Sequence, residues 1–192
     1  MYTDGSYHSI HPTWDVEDSP WKARLVRKLL AKHDLTPSSI CEVGCGAGEV
    51  LRQLQLSGDS SAQYTGYEIS PQAYALADAK SNERLKLILA DICQERPVAQ
   101  YDLLLALDVV EHVEDYLAFL RCLRPLARYK VFHFPLELSV QSVLRTSPIM
   151  SGRKMVGHLH YFMKDIVICA LQETGYSIID WVYTPVSIER PR

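Results

Sequence analysis

Residues 40–48 read Ile40-Cys41-Glu42-Val43-Gly44-Cys45-Gly46-Ala47-Gly48, and residues 49–56 follow at once as an amphipathic segment. A short apolar run, three alternating glycines and a helical period together predict a buried strand, a tight turn and a helix start. Glycine suits such a turn because the turn uses φ values closed to other residues. A Cβ would also hold the backbone away from a ligand lying on it. The free N–H groups of the helix start favour negative or electron-rich ligand groups. The stretch points to a nucleotide-type ligand, while a glycine run of this kind also occurs in ordinary loops.

Outward from this stretch the chain alternates between strand and helix patterns. Upstream, Ser19-Pro20 marks a helix start, and Trp21, Leu25, Leu29 and Leu30 carry an apolar face to about His33. The other face holds Lys22, Arg24, Arg27, Lys28 and Lys32, read as a solvated face. Downstream, strands are expected at 64–69, 85–89, 101–107 and 129–134, with helices at 71–80 and 115–123 between them. A sixth strand is expected at 177–183 and a short seventh at 186–188. This alternation predicts an α/β three-layer sandwich: a mostly parallel, doubly wound, Rossmann-like sheet of six to seven strands. The chain reads as one domain in four parts. Residues 1–18, without periodicity, form an arm or lid, and 19–135 form a cofactor-binding core. Residues 136–163 are a substrate-side insert, with a helix at 136–145 and a loop at 147–157. Residues 164–192 give a helix closed by Gly175 and the C-terminal strand.

A length of 192 residues allows one sizeable α/β domain but hardly two. Net charge is −3, which excludes the global basic field that drives non-specific nucleic-acid binding. The five cysteines form no C-x-x-C pair, so the reading is free thiols in a reducing compartment rather than a disulfide framework or structural zinc. No stretch approaches a membrane span, and residues 1–6 lack the regions of a signal peptide, so a cytoplasmic protein is expected.

In open α/β sheets ligands lie beyond the carboxyl ends of the strands. That rule gathers Gly44, Gly46, Gly48, Glu68, Asp91, Asp108 and His133 into one crevice. Glu68, at the end of the second strand, offers two acceptor oxygens that match paired ribose hydroxyls; a solvated strand-end acid is the alternative. Asp91 could accept from an adenine amino group with Ile69 and Ile92 against the ring, or could simply cap a turn. The glycines are spaced G-x-G-x-G, whereas the dinucleotide fingerprint is G-x-G-x-x-G. Glu49 stands where the third glycine would be, and a pyrophosphate would meet its charge. The spacing therefore disfavours a nicotinamide or flavin dinucleotide and favours a smaller adenosine cofactor.

Four segments carry a family resemblance: Glu42-Val43-Gly44-Cys45-Gly46-Ala47-Gly48, Gly66-Tyr67-Glu68-Ile69-Ser70, Ala90-Asp91-Ile92 and Leu107-Asp108-Val109-Val110-Glu111-His112-Val113. Together they resemble the class I S-adenosylmethionine-dependent methyltransferases, in the branch of the ubiquinone-biosynthesis O-methyltransferases and other small-molecule methyltransferases. Gly157-His158-Leu159-His160-Tyr161-Phe162 is similar to that branch too. The resemblance implies S-adenosylmethionine as cofactor and S-adenosylhomocysteine as product. It implies that Glu42, Gly44, Cys45, Gly46 and Gly48 hold the methionine part, Glu68 the ribose and Asp91 the adenine. Residues 1–18 and 136–163 match nothing assignable, and these are where the family builds substrate pockets.

Methyl transfer to oxygen or nitrogen of a small molecule is the resulting expectation, with RNA or protein methylation, or a silent Rossmann-like interaction protein, as alternatives. Nucleic-acid binding rests only on the basic helix face, and the oligomeric state is open. An oxygen or amine acceptor must lose a proton, so His133, His158 and His112 are the candidate catalytic residues, and Asp108 and Glu111 line the pocket or orient a histidine. For His112 a structural hydrogen bond is the stronger reading. His158-x-His160 has the spacing of a ligand pair, but no further partner is near in sequence and no metal is expected. Arg145, Arg153 and Lys154 suit either an anionic acceptor or a solvated loop, and Trp14 and Trp21 could close a lid.

Overall fold

Apolar runs whose side chains alternate between two faces build the sheet. In the strand at Tyr101–Leu107, Leu103 and Leu105 enter one core, while Leu104 and Ala106 enter the other. The computed structural model describes residues 1–95, 97 and 100–185. In chain order, α1 (Ser6–Ile10) and α2 (Ser19–Lys32) precede β1 (Ser39–Val43). Then come α3 (Glu49–Ser57), β2 (Gln63–Glu68), α4 (Pro71–Asp78), β3 (Leu85–Leu89), the one-turn α5 (Ile92–Glu95) and β4 (Tyr101–Leu107). After these come α6 (Tyr116–Leu123), β5 (Ala127–His133), α7 (Val140–Arg145), α8 (Ser147–Met155) and α9 (Lys164–Glu173).

The five strands form a parallel sheet in the order β3-β2-β1-β4-β5. Val43 pairs with Tyr67 on one side of β1, and Glu42 with Leu105 on the other. The order reverses at β1, which opens a crevice beyond the carboxyl ends of β1 and β4. Ala23 and Val26 of α2, Val50, Leu51 and Leu54 of α3, and Ala77 of α4 cover one face. Ile92 of α5 and Leu123 of α6 cover the other, and α9 packs through Ala170 and Leu171 beside α6. Helix starts are written locally. Ser70 Oγ accepts from Ala73 N–H at 3.3 Å before Pro71, and Asp115 accepts from Ala118 N–H at 2.9 Å. Among the described residues no helix is long and apolar enough to cross a membrane.

Several expectations are corrected. The expected sixth strand at 177–183 does not form, and among the described residues the sheet has five strands where six to seven were expected. Alternation supplies two faces but not a partner. Asp180 is held by Lys32 and His33 instead, and Ile179, Trp181, Val182 and Tyr183 stay exposed. The expected strand at 186–188 lies outside the described residues. The expected loop at 147–157 contains α8, because Pro148 sits in the first turn, where a missing N–H costs nothing. Of the expected apolar face of α2, Trp21 is buried and Leu30 packs on the core, while Ala23 and Val26 are buried where Leu25 and Leu29 were expected. Cys93 and Cys122 form a disulfide between α5 and α6, against the reading of free thiols. Their separation of 29 residues carries no motif, and only the packing of the two helices brings them together.

Gly44 shows why the turn needs glycine: its φ is +65°, and a Cβ would sit 2.7 Å from Cγ2 of the branched Val109. Left-handed strain and overpacking together predict that Gly44→Ala destabilises the fold by about 2–3 kcal/mol. Calorimetry should then record a melting temperature lower by roughly 4–12 °C. An unchanged melting temperature would show that the turn can relax.

Candidate functional site

The glycine turn is anchored from β2. Gly44 and Cys45 N–H groups both donate to the Tyr67 carbonyl, at 2.8 and 3.1 Å. Gly46 N–H donates to Glu68 Oε2 and Ser70 N–H to Oε1, each at 2.8 Å. Glu68 is 5% exposed, and burial raises its pKa against the pull of these donors. Each of its oxygens keeps a further lone pair. Gly46 faces nothing nearer than Trp14 at 4.0 Å, so its backbone is presented to the crevice. Gly48 has another role: a Cβ there would meet Leu87 at 3.2 Å, so this glycine packs the turn against β3. Cys45 also turns inward, against Gly66, leaving only its backbone to the turn's outer side.

Glu42 lies one residue before the end of β1, 3% exposed, with Oε2 lacking any partner. Burial pushes its pKa up to about 8, against the attraction of the Lys22 ammonium. Asp91 accepts from Cys93 N–H at 2.8 Å and from Gln94 Nε2 at 3.0 Å, a turn cap at the mouth of the crevice. Ile69 is half exposed there, whereas Ile92 is 1% exposed and belongs to the core. Only Ile69 of that pair offers a surface to a ring. Glu49 accepts from Arg52 and Gln53. Burial raises its pKa, but those bonds outweigh it and keep the carboxylate ionised at the start of α3.

Asp108, at the end of β4 with φ +58°, is fixed from two sides. Lys22 Nζ donates to it at 2.7 Å, and His133 Nδ1 bonds its other oxygen. Burial alone would raise the Asp108 pKa, but Lys22 and His133 hold it well below the carboxylate range. His133 Nε2 meets Thr184 Oγ1 at 3.1 Å, and Trp21 packs edge-on against the ring. Asp108 therefore orients a histidine, and Lys22 leaves the solvated face it was assigned to. Arg24, Arg27 and Lys28 remain exposed on α2.

Glu111, His112 and His158 meet on the other side of Asp108's loop. One donor atom from each lies within 4.8 Å of the other two. Glu111 is 0% exposed and both its carboxylate oxygens lack a hydrogen-bond partner. Burial, with Asp108 nearby, raises its pKa strongly. His112 Nδ1 lies 3.3 Å from the Gly157 carbonyl, and burial lowers its pKa to about 4. His158 Nδ1 bonds Glu137 Oε2 at 2.6 Å. His160 departs from this group: its Nε2 donates to the Val113 and Glu114 carbonyls, so His158 and His160 are not a ligand pair. Arg145, Arg153 and Lys154 are exposed and do not line the crevice.

One continuous crevice of about 2110 Å³ takes in 42–47, Glu68, Asp91, Asp108, His133, Glu111, His112 and His158. That volume also takes in space lined by Leu35, Leu103, Arg128, Tyr129 and Trp181, away from the strand-end residues. Tyr2, Tyr7 and Trp14 cluster over it, with Tyr7 ring centroids 4.7 Å from both neighbours. The Tyr2 hydroxyl donates to the Val156 carbonyl at 2.6 Å and lies 3.0 Å from His112 Nδ1. Lys22, Glu137 and Tyr2 are site residues the sequence did not indicate, and Glu111 lines the crevice as expected but with both oxygens unpartnered. For Glu111 the only signal was an acid inside an apolar run, Val109-Val110-Glu111. Tyr2 and Glu137 carried none, since tertiary packing alone delivers them.

A family model described as a methyltransferase domain matches residues 18–180. No curated protein matches the chain. In fold the chain is similar to magnesium protoporphyrin IX methyltransferase (ChlM) from Synechocystis PCC 6803 with bound SAH, at 22% identity and TM-score 0.65, covering 84% of this chain and 74% of that one. It is similar to the plantazolicin methyltransferase BpumL in complex with a monoazolic desmethylPZN analog and SAH, at 21% identity and TM-score 0.58, covering 89% and 63%. A third likeness, at 15% identity and TM-score 0.59, is to Haemonchus contortus phosphoethanolamine N-methyltransferase 2 with S-adenosyl-L-methionine, covering 73% and 33%. At these identities the likeness is one of fold. The family match over most of the described chain goes further: the chain belongs to the methyltransferase-domain family.

Proposed function

We propose that this chain transfers a methyl group from S-adenosylmethionine to an oxygen or nitrogen of a small molecule. The observation that carries the reading is Glu42 Oε2, a buried oxygen without a partner that lines the same crevice as the open backbone of Gly46. A ligand with a cationic group satisfies that oxygen, and an amino acid ammonium is such a group. Solved structures of similar fold hold SAH or S-adenosyl-L-methionine. In this chain Glu42 would accept from the cofactor's ammonium, and the backbone of 44–47 would hold its methionine part. The free lone pairs of Glu68 would take ribose hydroxyls, and Asp91 the adenine amino group, with Ile69 against the ring.

When bound, S-adenosylmethionine supplies an electrophilic methyl: an acceptor lone pair forms the new bond to carbon while the S–C bond breaks and its electron pair stays on sulfur. The chain's residues supply orientation and exclusion of water. Tyr2, Tyr7 and Trp14 cover the crevice. Asp108 holds His133 through Nδ1, which leaves Nε2 as the nitrogen that takes the acceptor's proton, a place now filled by the Thr184 hydroxyl. His112 and His158 face the acceptor end.

Thermal unfolding with S-adenosylhomocysteine at about 100 times its Kd should show about 2.7 kcal/mol of added stability. That is a rise of roughly 5–10 °C. The rise should vanish in Glu68→Ala, and no rise at millimolar ligand would sink the cofactor assignment.

A second test uses the proton on Glu42. Its pKa of about 8 keeps it protonated at pH 6–7 without ligand. A cationic ammonium favours the ionised form, so the pKa falls on binding and a proton is released. Calorimetric titrations at pH 6.5 in buffers of different ionisation enthalpy should show up to about one proton released. Glu42→Gln should release none, and equal enthalpies in all buffers for the wild-type chain would exclude this role.

A further inference from the structure

We infer that Glu111, His112 and His158 form a binding site for one divalent transition-metal ion at the acceptor end of the crevice. The donor atoms already converge within 4.8 Å, and Glu111 Oε1 stands 3.7 Å from His112 Nε2. Two nitrogens and one oxygen at bond lengths of about 2.0–2.1 Å lie roughly 3.4 Å apart around a tetrahedral ion. The site would therefore close on a metal by shortening its donor separations by up to about 1.4 Å.

Two independent observations point to a cation. First, Glu111 is fully buried and both its oxygens lack a hydrogen-bond partner, which is costly for an acid with nothing to bind. Second, each imidazole is held at its other nitrogen. Glu137 accepts from His158 Nδ1, and the Gly157 carbonyl faces His112 Nδ1. At His158 this leaves Nε2 as a lone-pair donor, the pattern of metal-binding histidines; at His112 the Tyr2 hydroxyl lies 3.0 Å from Nδ1 and 3.2 Å from Nε2, and a metal would displace it from Nε2.

The donor set selects among ions. Two imidazoles and one carboxylate suit Zn²⁺, Co²⁺ or Mn²⁺ rather than Ca²⁺ or Mg²⁺, which prefer all-oxygen shells. Three protein ligands leave a fourth position open, as in catalytic rather than structural sites. Its use, unlike the site itself, rests on the methyl-transfer reading. The open position would take an acceptor hydroxyl and lower its pKa, easing the loss of its proton to His133 Nε2 before methylation.

The test uses the full chain after dialysis against a chelator. Co²⁺ alone should develop a visible d–d band that saturates at one equivalent, and Zn²⁺ should displace it. Glu111→Gln and His158→Gln should each weaken Co²⁺ affinity by at least about 100-fold, and His160→Gln should leave it unchanged. The melting-temperature rise with S-adenosylhomocysteine, measured on every variant without metal, shows that the fold and the cofactor end are intact. Should one buried variant lose that rise, the other carries the comparison. Failure of wild type to bind Co²⁺, Zn²⁺ or Mn²⁺ stoichiometrically would overturn the site, as would equal affinity in wild type and the intact variants. Metal binding without a response to S-adenosylhomocysteine would support the site and count against the methyltransferase reading alone.

Discussion

Two backbone N–H groups, those of Gly46 and Ser70, meet the buried carboxylate of Glu68 at 2.8 Å each. Gly46 belongs to the turn after β1, and Ser70 caps the helix after β2. One side chain thus locks the first turn, the end of β2 and the start of α4 into a single body. A buried acid is stable there because backbone donors replace the water it gave up. The rest of the crevice is positioned from this body. β1 carries Glu42, β4 pairs with β1 and carries Asp108, and the loop after β4 carries Glu111 and His112.

The site that results is rich in buried acids, and they are not all compensated from within. Asp108 has Lys22 and His133. Glu68 has its backbone donors. Glu42 keeps one oxygen, and Glu111 both, without a partner. Desolvated acids of this kind favour a cation over an anion, and the two orphaned groups mark the two ends where a cation is expected. Arg145, Arg153 and Lys154, which alone suggested an anionic acceptor, are turned to solvent.

What was legible in the chain was whatever is local. The 40–48 stretch, the helix starts near Pro71 and Asp115, and the strand-end acids Glu68, Asp91 and Asp108 all follow from short-range pattern and from the rule that ligands sit beyond strand ends. The rest depends on who packs against whom. Ile178, Asp180 and Val182 alternate as a strand does, but Asp180 found Lys32 and His33 before the segment found a strand partner. Lys22 looks like one more surface lysine until α2 is laid over β4. Cys93 and Cys122 are 29 residues apart and meet only because α5 and α6 share a sheet face. His158 and His160 suggest a pair by spacing, yet the backbone between 157 and 163 is not a strand and sends them to different partners.

The strand order has a consequence for the growing chain. β1 pairs with β2 across about two dozen positions, Ile40 to Tyr64, but with β4 only across Ile40 to Leu103. Residues 39–89 can assemble β1, β2 and β3 while β4 is still being synthesised. During that interval the inner edge of β1 has unpaired backbone groups and apolar side chains on both faces. Such long-range parallel pairing is slow, and such an edge is what a neighbouring nascent chain can add to. The strand that later frames the crevice is, until residue 107 emerges, the least protected part of the molecule.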